Sequence, residues 1–261
     1  MDILAEIVAH KRKEVAERKA LYPVRLLEKS IYFEGKPVSL KKYIQRSDKS
    51  GVIAEIKRKS PSKGMINEHV SVERTSIGYM QAGASGLSVL TDQKYFGGSS
   101  EDLNTARSFN FCPILRKDFI VDEYQVIEAK SIGADVILLI AAVLTKEEIE
   151  LLGSLAISLG MEILLEVHNE EELNNSMTDK VQLLGVNNRN LKTFETTIQT
   201  SIDLVDKIPE DFVKVTESGL HSPEVVNQLK AHGFEGFLIG ETFMKSGRPE
   251  RAAKEFISQL K

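Results

Sequence analysis

Four times the chain passes from a helical pattern through a glycine into an apolar run: "YMQAGASGLSVL", "AKSIGADVILLI", "AISLGMEILLEV" and "LKAHGFEGFLIG". Gly83, Gly133, Gly160 and Gly233 stand at the turns. Glycine enters the left-handed region without a Cβ penalty and commonly closes a helix, so each junction marks a helix feeding a strand. Further apolar runs near Val52, Pro113, Leu183 and Val213 bring the strands to eight. Their spacing of roughly 20 to 35 residues suits one parallel βα unit each. Runs such as "VILLIAAVL" are apolar without alternation, as strands covered on both faces must be. Eight βα units predict an α/β fold, a closed (β/α)₈ barrel of the TIM type. An open doubly wound sheet is the alternative that the same elements allow.

The 261 residues are enough for one such barrel and its core, so residues 1–261 are read as a single barrel domain. Residues 1–48 form a helical extension packed on it. There Ile3, Leu4, Ile7 and Val8 make an apolar stripe, and "HKRKEVAERK" reads as a solvated charged face. Pro23 and Pro37 break the extension into short pieces. The balance of 34 Lys plus Arg against 38 Asp plus Glu, a net charge of −4, argues against nucleic-acid or anionic-membrane partners. Cys112 is the only cysteine, which excludes an internal disulfide and suits a reducing compartment. The charged start "MDILAEIVAHKRKEV" lacks the apolar segment of a signal peptide, and no run approaches the roughly 20 residues of a membrane span. A cytoplasmic protein with no membrane contact and no obligate protein partner is expected.

Side chains alternate along a strand, and the alternation exposes a pattern of charge. In "GVIAEIKRKSPSKG", Val52, Ala54 and Ile56 share one face, while Ile53, Glu55 and Lys57 share the other. "PILRKDF" sets Lys117 with Leu115, and "MEILLEVH" sets Glu166 with Leu164. "LLGVNNRNL" aligns Gly185, Asn187 and Arg189, and "VKVTESG" aligns Val213, Val215 and Glu217. Singly, each charge reads as a strand emerging into water. Barrel active sites form at the C-terminal strand ends, so a closed barrel gathers Glu55, Lys57, Lys117, Glu166, Asn187 and Glu217 into one polar mouth. Gly219 and Gly240 follow the seventh and eighth strands, where barrels often hold a phosphate on backbone N–H groups. The loop "RKSPSKGMINE" has the composition of a mobile lid carrying Ser60, Ser62 and Lys63 towards an anionic ligand, with Ser60 the best placed and plain loop solvation the alternative for Ser62 and Lys63. His10, His69, His168, His221 and His232 show no paired metal-ligand spacing, so no metal is expected. His168 lies two residues past Glu166, where it could line the mouth, but reads first as a satisfied structural histidine; Cys112 reads as core.

On these residues the sequence resembles the indole-3-glycerol phosphate synthase family of tryptophan biosynthesis. "IAEIKRKSPSKG", "LTDQKYFGGS", "LRKDFIVDEYQV", "LLEVHN", "GVNNRNL", "ESG" and "FLIGETFM" follow the family pattern in order over nearly the whole chain. The resemblance implies a (β/α)₈ barrel without metal or organic cofactor. It also implies conversion of 1-(2-carboxyphenylamino)-1-deoxyribulose 5-phosphate into indole-3-glycerol phosphate, carbon dioxide and water. By resemblance, Lys117 is the general acid at the substrate ketone, Glu166 the base of the final dehydration and Lys57 the acid for the departing hydroxyl. Glu55 orients the two lysines. Asn187, Arg189, Glu217 and Ser218 position the chain hydroxyls and carboxylate, while Phe119, Leu138 and Leu191 line the substrate. Ser60, Gly219 and Gly240, with Lys57, receive the phosphate. Glu241 departs from the pattern, since many relatives carry a small residue such as serine there. The neighbouring phosphoribosylanthranilate isomerases would need a Cys and an Asp where this chain has Glu55 and Asn187. A non-catalytic phosphosugar-binding protein would have no use for Glu166 beside an anionic ligand. Burial lowers a lysine pKa and adjacent carboxylates raise it, so the sequence leaves the sign at Lys117 open.

Overall fold

The computed structural model describes residues 3–260; residues 1, 2 and 261, at the outer ends of the expected extension and domain, lie outside them. Eight parallel strands close into a barrel: β1 (Val52–Ile56), β2 (Gly86–Leu90), β3 (Ile114–Lys117), β4 (Val136–Ile140), β5 (Glu162–Val167), β6 (Leu183–Asn187), β7 (Val213–Glu217) and β8 (Gly236–Ile239). β1 pairs with β2, with Glu55 opposite Ser88, and also with β8, with Ile53 opposite Leu238. That second pairing rules out an open sheet. Gly83, Gly133, Gly160 and Gly233 have φ of 99°, 91°, 77° and 101°, so the four turns take the left-handed backbone that selects glycine.

The alternation sorts the strands into two cores. Ile53, Leu115, Leu164, Leu183, Val213 and Leu238 fill the barrel interior. Val52, Ala54, Ile56, Leu139, Leu165 and Ile239 face the surrounding helices. Cys112 is buried just ahead of β3, and burial pushes its thiol up to about 12.

Among the described residues the extension contains three helices, α1 (Ile3–Leu21), α2 (Val24–Leu27) and α3 (Leu40–Ile44). Pro23 stops α1 after 19 residues, so the first piece is not short as expected, while α2 and α3 are. At the other end of the extension α3 plugs the bottom of the barrel, where Leu40 and Ile44 join the interior cluster. Gly86 and Gly236 make room for this plug. A Cβ on either would come within 2.7 Å of Leu40 Cδ1 or 3.2 Å of Ile44 Cδ1.

The charged face expected of α1 is not wholly solvated. Lys11 is fully buried, in line with Ile7 and Val15 on the face turned to the barrel. Its Nζ lies 2.9 Å from Asp92, 3.0 Å from Asp118 and 3.0 Å from Glu14. A lysine belongs in this stripe because Asp92, just past β2, would otherwise be a buried charge without a cation, and Asp118, just past β3, would keep Arg116 alone. Asp118 also accepts from Thr91 Oγ1 at 2.6 Å and lies 3.2 Å from Arg116. Arg116 in turn pairs with Glu128 at 2.7 Å, and Arg18 of α1 reaches the same carboxylate at 2.6 Å.

Burial works to raise the Asp118 pKa, but Lys11 and Arg116 outweigh it and hold the carboxyl down at about 2. A depressed carboxylate contributes stability at pH values above its unfolded pKa of about 3.9. That contribution is lost as pH falls from about 4 towards about 2. Lys11→Ala strands Asp92 and leaves Asp118 with Arg116 alone, a loss on the order of 3–5 kcal/mol for a broken buried pair. Urea denaturation at pH 7 should show it, and the deficit should shrink in acid as Asp118 protonates. An unchanged denaturation midpoint would remove Lys11 from this role.

Candidate active site

The C-terminal ends of the strands carry the charges inward. Each charged side chain continues the inward row of its own strand, Glu55 and Lys57 above Ile53, Lys117 above Leu115, Glu166 above Leu164, and Glu217 above Val215. Lys117 is the centre of the arrangement. Its Nζ lies 3.1 Å from Glu166 Oε2 and 3.2 Å from Glu217 Oε2. Asn187 Nδ2 donates to the other Glu166 oxygen at 3.1 Å, and Asn187 Oδ1 accepts the Arg189 backbone N–H at 3.0 Å. Across the mouth Lys57 Nζ sits 2.7 Å from Glu55 Oε1, while Ser88 donates to Glu55 Oε2 at 3.3 Å.

These contacts decide the sign left open by sequence. Burial lowers the Lys117 pKa, but Glu166, Glu217 and Glu55 more than offset it and hold the ammonium well above its ordinary range. Burial alone would raise Glu166; Lys117, with hydrogen bonding from Glu217 and His168, holds that carboxyl well below the carboxylate range. Glu217 is pushed well above the range by burial and by the negative charge of Glu166. Two carboxylates on one lysine therefore differ, one ionised and the other disposed to keep a proton.

A cavity above this cluster is lined by Glu55, Lys57, Lys117, Glu166, Asn187 and Glu217, with Ser60, Arg189 and Ser218 at its polar rim. Phe119, Leu138 and Leu191 supply apolar wall. Gly219 and Gly240 lie in an adjoining hollow that shares Glu55, Lys57, Arg189, Glu217 and Ser218. The structure thus brings every sequence-predicted site residue to one end of the barrel. Ser218 and Gly219 both have positive φ, 66° and 79°, which makes a tight turn directly after β7. Among the described residues no group of three His, Cys, Asp or Glu side chains is arranged to hold a metal ion.

Several residues of the site escaped sequence reasoning. Ile3, Leu4 and Ile7 of α1 roof the apolar side of the cavity together with Phe96 and Phe194. The expected lid is partly built as an antiparallel hairpin, Lys59–Ser60 against Gly64–Met65. From it Ser62, passed over in favour of Ser60, accepts from Arg189 Nη1 at 2.6 Å. Glu241 faces three cations, Lys245 at 2.7 Å, Arg189 at 3.7 Å and Lys63 at 4.0 Å. His168 also reaches the cluster, 3.3 Å from Glu166. Only the pleat of β5 signals it, two residues past Glu166.

A sequence-family model described as indole-3-glycerol phosphate synthase matches residues 4–256. The chain belongs to the indole-3-glycerol phosphate synthase family. It is 48% identical over 259 residues to the indole-3-glycerol phosphate synthase of Bacteroides thetaiotaomicron, covering 99% of each chain. It is 45% identical over 251 residues to that of Dechloromonas aromatica, covering 95% of this chain and 96% of the relative. In fold it is similar to 3-hexulose-6-phosphate synthase from Salmonella typhimurium (TM-score 0.63, 12% identity, 80% of this chain and 97% of that one). A mutant tryptophan synthase α-subunit from Pyrococcus furiosus is likewise similar (TM-score 0.60, 14% identity, 82% and 98%). At such identities these two structures bear on the barrel alone. No helix among the described residues is long and apolar enough to cross a membrane.

In this member of the family Gly240 is required by proximity. A Cβ there would stand 2.4 Å from Glu55 Oε1 and 3.0 Å from Glu55 Cβ, so any side chain displaces the carboxylate that holds Lys57. Misplacing a reacting group by about 1 Å can cost on the order of 10² in rate. Gly240→Ala should therefore lose about 10²-fold in kcat while melting within a few degrees of the parent, as measured by steady-state kinetics beside calorimetry. A variant of full activity would show that Glu55 is free to move.

Proposed function

We propose that the mouth catalyses decarboxylating ring closure of 1-(2-carboxyphenylamino)-1-deoxyribulose 5-phosphate to indole-3-glycerol phosphate, carbon dioxide and water, with the following division of labour. Lys117 protonates the ketone oxygen as the ring carbon bearing the carboxylate attacks the ketone carbon. The carbon–carboxylate bond then breaks, releasing carbon dioxide and restoring the aromatic ring. In the last step Glu166 takes a proton from the cyclised intermediate while Lys57 protonates the departing hydroxyl. Glu55 orients the lysines. Asn187, Arg189, Glu217 and Ser218 hold the hydroxyls and carboxylate, and Phe119, Leu138 and Leu191 flank the ring. Ser60, Gly219 and Gly240 receive the phosphate with Lys57.

The observation that carries this reading is the placement of the Lys117 ammonium within about 3 Å of both Glu166 and Glu217. A lysine held well above its ordinary range delivers a proton only to an oxygen becoming strongly basic, as a ketone does while a carbon attacks it. Once Lys117 has given up its proton, the charge that holds Glu166 down is gone, and the carboxylate becomes a stronger base for the step that follows. The net charge of −4 and the lone buried Cys112 support a cytoplasmic enzyme whose required partner is its small substrate, with no nucleic acid involved. Residues 1–261 are taken as one barrel domain, with residues 1–48 as its extension and no cofactor.

Single-turnover measurement of labelled carbon dioxide beside indole product tests the assignment. Lys117→Ala should block both by at least the roughly 10²- to 10⁴-fold value of general acid catalysis. Glu166→Gln keeps the side-chain shape but accepts no proton at neutral pH, so carbon dioxide should still appear while indole product lags. Equal loss of both products in Glu166→Gln would take the base role away from Glu166.

Inorganic phosphate should compete with substrate, because the hollow between Gly219 and Gly240 sits where barrels of this kind bind phosphate. A phosphate soak should place the anion against the backbone of those glycines. Purely non-competitive inhibition would count against the site.

A further inference from the structure

His168 is the first residue beyond β5, and its ring is only 9% exposed. It stands between two carboxylates. On the outer side its Nδ1 lies 3.0 Å from Glu172 Oε2, an oxygen that also accepts the His168 backbone N–H at 2.8 Å. Glu172 belongs to the helix Glu170–Ser176, where Asn169 Nδ2 fixes its other oxygen at 2.8 Å. On the inner side the buried Nε2 lies 3.3 Å from Glu166 Oε1, at ion-pair distance but off the line of a hydrogen bond, and no acceptor elsewhere satisfies it. The charged groups that face the ring are Glu166 from its own strand and Glu172 from the following helix; beyond Glu166 stand Lys117 and Glu217. A histidine that served only to fill space would not need a carboxylate at each nitrogen.

We propose that His168, braced by Glu172, is a positioning residue that fixes the Glu166 carboxylate so that Oε2 faces Lys117 and the reacting carbon. This rests on Glu166 being the dehydration base. The two oxygens of Glu166 have different duties: Lys117 takes Oε2 at 3.1 Å, and Asn187 takes Oε1 at 3.1 Å. Asn187 also faces the cavity, where a substrate hydroxyl competes for its amide. When the amide turns to substrate, the ring of His168 is the group left to hold Oε1 and stop the carboxylate rotating. Glu172 makes the ring suited to this. Burial lowers the His168 pKa, but the two carboxylates outweigh it and push it up to about 10, so the ring is an imidazolium with both nitrogens as donors at neutral pH. A cationic donor also favours the ionised form of Glu166, which the base must have before it can act.

The test is the pH profile of kcat for His168→Ala, His168→Gln and Glu172→Gln in the full-length enzyme. Removing the imidazolium removes a group that favours ionised Glu166, so the acid limb of kcat should move to higher pH. At saturating substrate kcat should fall by up to about 10²-fold, the scale of a misplaced reacting group, with KM changed much less. His168→Gln places a neutral N–H near Oε1, so part of the rate should return while the acid limb stays displaced. Glu172→Gln should shift the limb in the same direction by less. Should the alanine variant fail to fold, His168→Gln gives the same reading of the limb. An acid limb that does not move in a folded His168 variant, with kcat kept or lost only alongside melting temperature, overturns the proposal. Failure of the base role itself looks different, since it appears in Glu166→Gln as equal loss of carbon dioxide and indole product whatever His168 does.

Discussion

Closure of the sheet between β1 and β8 is the constraint from which the site follows. Once Ile53 pairs with Leu238 while Glu55 pairs with Ser88 on the other edge, the inward rows of all strands point into one space. That space cannot be apolar to its top, because the strands end there and their last inward residues are Lys57, Lys117, Glu166, Asn187 and Glu217. In an open sheet the same residues would lie along a line and Lys117 would not meet Glu166 and Glu217 together. Parity and closure, acting together, convert five separate strand ends into one charge cluster.

The run Arg116–Lys117–Asp118 shows how the pleat sends adjacent residues to the mouth and to the packing behind it. Lys117 turns inward to the mouth, while Arg116 and Asp118 turn outward into a second buried network with Glu128, Lys11 and Thr91. The outer network ties α1 to the strand that carries Lys117, and the same helix roofs the cavity with Ile3, Leu4 and Ile7. The extension therefore does more than cover apolar surface. It spans the barrel, closing the bottom with Leu40 and Ile44 and bracing the top through Lys11. Buried charges of this kind add little net stability compared with apolar packing, but removing one partner leaves the other a buried and poorly compensated charge.

Inside the mouth, unlike environments separate like groups. Glu166 and Glu217 share Lys117, yet Glu166 has in addition Asn187 and the His168 imidazolium, and it is the one held ionised. Glu217 then sits beside an existing negative charge and is driven the other way. The arrangement puts unlike protonation on two neighbouring carboxylates, which is what the proposed succession of acid and base steps requires.

The sequence by itself determined the eight strands, the glycine-closed turns and the face of each strand that carries charge, because these depend on periods of two and on φ at single residues. It also carried the family motifs, which cover nearly the whole chain. It did not determine that Lys11 is buried, since a helical pattern counts lysine as polar and its partners Asp92 and Asp118 are remote in sequence. The link from His168 to Glu172 is a local spacing that sequence allows, but the contact with Glu166 depends on how the end of β5 turns into the mouth. Nor could sequence give the direction of the Lys117 shift. Burial and neighbouring carboxylates act oppositely on a lysine, and only the tertiary structure sets the distances that decide which one prevails.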